Sequence, residues 1–272
     1  AKVEEADIVT GSGNRHAILS HVQQLLEGNA ERIVDIRPHQ KGEQFEELPM
    51  DRFAEHTRAF VKVEDGCNRR CAYCVIPRAR GPVRSRSEAS ILDELRRLAA
   101  AGYREVVLTA ISLPSYGSDT GTGLAELVEH AAGVEGIERI RLGSLDPDML
   151  SESDIRRLAA VKKLCPQFHL SLQSGCSKTL RAMRRPYTAE QYAAIAARLR
   201  EAFGDENLSL TTDVIVGFPG ETEEDFEQSL RFVSAQRFLK VHVFPYSRRR
   251  GTAACDFPDQ IPEHEKEARS RR

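Results

Sequence analysis

From residue 58 onward the chain alternates short apolar runs with longer stretches of helical periodicity, and this alternation restricts the fold more than any other feature. The apolar runs lie at 59–63 (AFVKV), 105–110 (EVVLTA), 138–143 (ERIRLG), 168–172 (FHLSL), 210–216 (LTTDVIV) and 240–245 (KVHVFP). Between them, near 87–101, 123–131, 151–161, 189–203 and 222–234, apolar residues recur at the spacing of an amphipathic helix. Three of these helices open on a capping box: Ser151 with Asp154, Thr188 with Gln191 and Thr222 with Asp225. Strands separated by helices need crossover connections, which makes them parallel. Short apolar strands of this kind are expected to be buried on both faces. The sheet is either curved and barrel-like or open, and in both forms function collects at the C-terminal ends of the strands. The segments GCNRRCAYC, TAISLPSYG, GSLDPD, QSGC, GFPGE and PYSRRRG all fall there.

Ahead of this core, residues 7–28 read as a strand, a turn and a helix. Ile18, Leu19, Val22, Leu25 and Leu26 keep helical spacing, and Gly28 is a natural stop. The GSG at 11–13 reads as a plain turn. The expected organisation is therefore an α/β domain remnant at 1–30, a polar linker at 31–57, a core at 58–250 and a charged connector at 251–272. The first residue is Ala, which reads as a fragment whose flanking domains lie elsewhere. No run approaches a membrane span, and AKVEEADIV is no signal peptide, so a cytoplasmic protein is expected. A net charge of -2 excludes a globally basic binder, leaving any nucleic-acid contact to a local patch.

Three of the six cysteines, Cys67, Cys71 and Cys74, have the spacing C-x3-C-x2-C. Thiolates gathered so closely repel one another unless a metal neutralises them. A structural zinc would need a fourth ligand from elsewhere, such as His56, His169 or Cys165. A [4Fe–4S] cluster takes one cysteine per iron, so three would leave one iron open to chelate the amino and carboxylate groups of a methionine-type ligand. Cys165, Cys176 and Cys255 share no spacing and read as small buried residues.

CNRRCAYC resembles the C-x3-C-x-φ-C signature of the radical S-adenosylmethionine (SAM) superfamily. VKVEDGCNRRCAYCVIPRARGPVRSR, RIRLGSLDPDML, HLSLQSGCSKTLRAMRRPYT, TTDVIVGFPGETEEDF and VFPYSRRRGT resemble methylthiotransferases within it, which replace a C–H bond by C–S–CH3. ARGPVRSR and HLSLQSGC are most similar to the branch acting on N6-threonylcarbamoyladenosine beside the tRNA anticodon. The other branches act on isopentenyladenosine in tRNA or on an aspartate of a ribosomal protein. The resemblance implies a partial (β/α)6 TIM-like barrel. It implies a [4Fe–4S] cluster on Cys67, Cys71 and Cys74, SAM, an electron donor such as a flavodoxin or ferredoxin, and a tRNA substrate rather than DNA. It also implies a second [4Fe–4S] cluster, for sulfur delivery, in an N-terminal domain that these residues do not include, and a C-terminal RNA-binding domain. Ala110 stands where the family commonly has glycine, and Pro114 is unusual there.

The resemblance sets Tyr73 beside the adenine of SAM and makes the Gly217–Gly220 turn the adenine-side wall. Gln173 ends the fourth strand, Asp213 is a carboxylate on an otherwise apolar strand, and Arg200 is a candidate partner for the SAM carboxylate. Arg69, Arg70, Arg78, Arg80, Arg84 and Arg86 flank the thiols, and Arg248, Arg249 and Arg250 follow the sixth strand at the same end of the sheet. Either these runs are solvated faces or together they neutralise RNA phosphates. A rival of a different class is a zinc-stabilised RNA-binding module without chemistry.

Overall fold

The structure is a computed structural model and describes residues 5–40, 42–48 and 57–272. β1 (Ile8–Thr10) pairs in parallel with β2 (Ile33–Asp35), and α1 (Ile18–Leu26) connects them. Inside the stretch expected as linker, β2 thus joins the first unit. The apolar stripe of α1 is largely exposed at Ile18, Leu19, Val22 and Leu26.

β3 (Ala59–Lys62) opens the main sheet. A short antiparallel ribbon, β4 (Glu64–Asp65) with β5 (Arg84–Ser85), then brackets the cysteine segment and the short helix α2 (Ile76–Arg80). The strict alternation follows: α3 (Glu88–Ala100), β6 (Glu105–Thr109), α4 (Leu124–Ala132), β7 (Arg139–Leu142), α5 (Glu152–Ala160), β8 (Gln167–His169), α6 (Ser177–Ala182), α7 (Ala189–Phe203), β9 (Ser209–Val216), α8 (Glu223–Ala235), β10 (Lys240–Pro245) and α9 (Glu263–Arg271). The three expected capping boxes form at Ser151, Thr188 and Thr222.

The strands pair in parallel in the spatial order β3-β6-β7 and β8-β9-β10. Parallel bridges Ile140↔Leu164 and Leu145↔Leu170 join the two halves. The result is one curved six-stranded sheet in chain order, with β3 and β10 as its edges. This is the partial (β/α)6 barrel.

Burial on both faces does not hold along the later strands. On β9, Leu210, Val214 and Val216 lie buried under the helices, whereas Ser209, Thr211, Asp213 and Ile215 face a half-open lumen. β10 is more exposed still, because it has a partner on one side only. The lumen therefore tolerates polar residues that a closed, dry barrel would not. Outside it, Val61, Leu108, Ile140, Leu170 and Tyr192 belong to the main core. A second small cluster, Ala72, Met183, Phe218, Tyr246 and Ala254, lies under the cysteine segment. Backbone bonds from Ala72 N–H to Met183 O and from Ala254 N–H to Ala72 O stitch those loops together.

The charged tail forms α9, which packs against β9 and β10. Its Lys266 and Arg269 are buried, and Arg269 donates to the Glu221 carboxylate at 2.9 Å and to its carbonyl at 3.1 Å. Gly217 has φ +70°, and a β-carbon there would sit 2.4 Å from Lys266 Cγ. The glycine makes room for α9, which packs against this turn.

Two arginines expected at an RNA rim are internal. Arg84, in β5, is buried and donates to the carbonyls of Arg80 (2.9 Å) and Pro82 (2.8 Å). Arg86 is buried against α3, paired with buried Glu94 and bonded to Ser90 Oγ. Arg86→Ala leaves the Glu94 carboxylate without its cation, so it should cost about 3 kcal/mol. A urea titration should show a clearly lower midpoint; an unchanged midpoint would mean the pair carries no stability.

Candidate metal and cofactor site

The cysteine segment begins at a glycine that no other residue could replace. Gly66 has φ +91°, and a β-carbon would lie 1.9 Å from the Pro82 carbonyl oxygen. This close crossing lets Cys67 N–H bond to Gly81 O (3.0 Å) and turns the chain back over the strand ends. Cys74 N–H bonds to Cys71 O (3.1 Å), which folds the second half of the motif into a tight turn. Cys67, Cys71 and Cys74 line one cavity of about 150 Å³, together with Arg69, Tyr73, Asp146, Gln173 and Arg185.

Burial raises the thiol pKa values of Cys67 and Cys74, and the neighbouring Cys71 raises both further. Three such thiols ionise together only when a cation compensates them. Among the described residues, only His169, Asp213 and His242 form a group of three donors whose ligand atoms all lie within 4.8 Å of one another. A single zinc would draw the three thiolates in to about 2.3 Å each.

The zinc alternative also needs a fourth ligand. His169 faces Asp213, with 3.3 Å between Nε2 and Oδ2. Cys165 is buried after β7, its N–H bonded to Ile140 O. His56 lies outside the described residues. Neither described candidate lines the thiol cavity, so the donor set fits a cluster with one iron left free.

Arg185 was not singled out by the sequence, although RRPY places it after QSGC. It is buried, with Nη1 donating to Cys71 Sγ at 3.2 Å, Nη2 donating to Asp146 and Nε donating to Tyr187 Oη at 3.0 Å. Burial opposes its charge, but the Tyr187 and Tyr73 oxygens and the Asp146 carboxylate hold it charged. Asp146, from the GSLDPD segment, also faces Arg69 Nε at 3.5 Å, and Asp148 accepts from Arg69 Nη2 at 2.8 Å.

A second cavity of about 240 Å³ shares Tyr73 and Gln173 with the first and adds Asp213, Ile215, Phe244 and Arg249. Gln173 stands at φ +75°, a costly backbone for a residue with a β-carbon. Its N–H bonds to Asp213 O and its carbonyl accepts from Ile215 N–H, both at 2.8 Å, so the strand end itself enforces that conformation. Gly217 and Gly220 line neither cavity. Arg200 is elsewhere: near the C-terminal end of α7 it donates to Gln236 O and pairs with Asp205 at 3.4 Å. That is the opposite end of the strands from the thiols, because a helix entering β9 finishes where the strand begins.

The remaining arginines divide by environment. Arg80 leans on buried Asp65 (3.4 Å), which also pairs with Lys62 and lies 3.9 Å from Arg84. Burial pushes the Asp65 carboxyl up, but Lys62, Arg80 and the Gly66 N–H outweigh it and hold the group below its ordinary value. Arg70, Arg78, Arg248, Arg249 and Arg250 are exposed. Arg78 donates to Gly251 O at 2.7 Å, which brings the two arginine runs together in one rim. A larger groove of about 890 Å³, lined by Glu88, Arg96 and Glu129, lies between α3 and α4 on the outer surface and holds no thiol.

Behind the thiol cavity, Glu64 is fully buried and accepts from Ser112 N–H at 2.9 Å, while its Oε1 has no hydrogen-bond partner. Burial, aided by Asp65, pushes its carboxyl up to about 8 from an ordinary value of 4.5. Between those two pH values the folded chain keeps the proton that the unfolded chain loses. Its contribution to stability is therefore full below about pH 4.5, falls as pH rises and is gone above about 8. Glu64→Gln should flatten the stability profile across that window and raise the melting temperature at pH 8 relative to the parent. A profile of unchanged slope would mean Glu64 is ionised in the fold.

The family model of the radical SAM superfamily matches residues 61–233. The chain is 38% identical over 268 residues to the threonylcarbamoyladenosine tRNA methylthiotransferase MtaB of Bacillus subtilis, covering 98% of this chain and 59% of that protein. It is 38% identical over 265 residues to a tRNA-2-methylthio-N(6)-dimethylallyladenosine synthase of Pelotomaculum thermopropionicum, covering 97% of this chain and 58% of that protein. It is 43% identical over 218 residues to MtaB of Chlamydia pneumoniae, covering 80% and 51%. The chain thus spans a little over half the length of these relatives. Among solved structures, the methyltransferase TsrM from Kitasatospora setae, with cobalamin and a [4Fe–4S] cluster bound, superposes with a TM-score of 0.57 at 22% identity, covering 69% of this chain and 36% of that one. Coproporphyrinogen III oxidase (HemN) from Escherichia coli gives 0.56 at 18% identity, covering 80% and 52%. Both share the fold described above. The chain belongs to the radical SAM superfamily.

Proposed function

We propose that these residues form the SAM-cleaving core of a tRNA methylthiotransferase that converts C2–H of an adenosine beside the anticodon to C2–S–CH3. The observation that carries this reading is the thiol cavity, with three cysteines, no fourth Cys or His among its lining residues, and a buried guanidinium on one sulfur. With SAM bound, a [4Fe–4S] cluster supplies one-electron cleavage of a C–S bond and so a radical able to take hydrogen from an adenine carbon.

The chain's own residues do the rest. Cys67, Cys71 and Cys74 hold the cluster, and Arg185 stabilises negative charge on Cys71 sulfur. Tyr73 and Gln173 stand where the two cavities meet, so they border both cluster and SAM. Arg70, Arg78, Arg248, Arg249 and Arg250 form an anion-binding rim suited to phosphates. Arg69 is held by Asp146 and Asp148 and orders the cavity wall instead.

N6-threonylcarbamoyladenosine is the favoured substrate, because two of the relatives above carry that activity in their names, one of them at 43% identity. The dimethylallyladenosine synthase at 38% identity supports the other tRNA nucleoside. Sulfur needs a separate source: Cys165 and Cys176 are buried apart from the cavity, Cys255 does not line it, and the 272 residues hold no second cysteine triplet. The electron donor is a small redox protein of the flavodoxin or ferredoxin type, and the site of action is the cytoplasm. Among the described residues no helix is long and apolar enough to cross a membrane.

Anaerobically reconstituted chain, given SAM and dithionite, should release 5′-deoxyadenosine and methionine. It should form no methylthiolated adenosine even with tRNA present, because nothing in it holds the sulfur. Cys71→Ala should lose most bound iron and all 5′-deoxyadenosine, whereas Cys165→Ala should keep both. Iron-replete parent chain that releases no 5′-deoxyadenosine would sink the assignment.

A further inference from the structure

The lumen contains a second constellation of metal donors that the thiol site does not use. His169 on β8, Asp213 on β9 and His242 on β10 come from three adjacent strands. In the sheet register His169 stands opposite Thr211 and His242 opposite Asp213, so the three donors share the lumen face. Their ligand atoms all lie within 4.8 Å of one another, and the two imidazole rings are 6.0 Å apart.

The hydrogen bonding around His169 is that of a ligand. Nδ1 sits 3.1 Å from Thr211 Oγ1, which fixes the ring. Nε2 is buried and has no hydrogen-bond partner, although Asp213 Oδ2 is only 3.3 Å away. Proximity without alignment means that no N–H joins them. A tautomer with its proton on Nδ1, toward Thr211, would turn a nitrogen lone pair to a carboxylate oxygen, and two acceptors at that distance repel. A cation between them removes the repulsion, and a ring held through its other nitrogen is the usual arrangement of a metal-bound histidine.

We propose that His169, Asp213 and His242 bind a divalent first-row transition ion, Zn²⁺ or Fe²⁺, in the lumen below the thiol cavity. Two imidazoles and one carboxylate are the donor set these ions take, and three protein ligands leave a coordination position open. Asp213 lines the cavity shared with Tyr73 and Gln173, so the ion would lie beside that cavity. This assigns Asp213 to a cation instead of to SAM. The inference stands apart from the tRNA reading, since it uses none of the thiols.

Co²⁺ is the probe. Titrated into cluster-loaded chain stripped of loose metal, it should bind one ion per chain by equilibrium dialysis with metal analysis, and the iron content and absorption of the cluster should stay unchanged. Asp213→Asn and His242→Ala should each weaken binding about 100-fold, and Thr211→Val, which removes only the ring's support, about 10-fold. Circular dichroism checks that each variant is folded. Parent chain that binds no Co²⁺, or Co²⁺ binding that displaces cluster iron or survives Asp213→Asn unchanged, overturns the proposal.

Discussion

One buried guanidinium holds the working end of this barrel together. Arg185 reaches the cysteine segment through Cys71, the third strand loop through Asp146 and the fourth strand through Tyr187, whose hydroxyl lies 2.8 Å from the Ser171 carbonyl. A buried charge of this kind is tolerable only when its donors are matched, and here all three guanidinium nitrogens have a partner. The same matching sets the positions of the thiols, since the cysteine segment is otherwise a loop over the sheet with few apolar anchors. Its other anchors are Ala72 in the small apolar cluster and the Gly66 crossing under Pro82.

The arginines show how one residue type serves two purposes within twenty positions. Those that point inward meet carboxylates or carbonyls: Arg86 meets Glu94, Arg84 meets carbonyls beside Asp65, and Arg69 meets Asp146 and Asp148. These stabilise the loop through contacts within the fold. Those that point outward, from Arg70 to Arg250, converge because Arg78 bonds the loop after β10. An anionic partner would therefore be met by that outer set, at the mouth of the cavities.

Much of the barrel was legible because period and capping are local properties. LTTDVIV reads as a strand, and Ser151, Thr188 and Thr222 mark helix starts, without knowledge of any contact. The thiol spacing was equally plain. What escaped depended on contacts distant in sequence. β4 and β5 are two residues each and exist only through each other. The tail EHEKEARSRR carries almost no apolar residue, yet α9 docks because Arg269 meets Glu221 and its guanidinium lies over Phe226. Gly217 also admits Lys266, a contact no local pattern announces. Arg200 was assigned to the wrong end of the strands, and Arg84 and Arg86 to the surface, because charge alone does not reveal which way a side chain turns. Arg185 and Asp146 lie in the segments RRPY and GSLDPD, but their pairing is a tertiary fact.

The central claim is that three thiols hold an iron cluster whose fourth iron is left for SAM. Mössbauer spectroscopy of chain reconstituted with ⁵⁷Fe tests it most directly. The account requires a [4Fe–4S]²⁺ spectrum in which adding SAM shifts one iron of four to a distinct site, with isomer shift and splitting raised by new nitrogen and oxygen ligands. A spectrum that SAM leaves unchanged, or a chain that retains zinc and no iron, would contradict it.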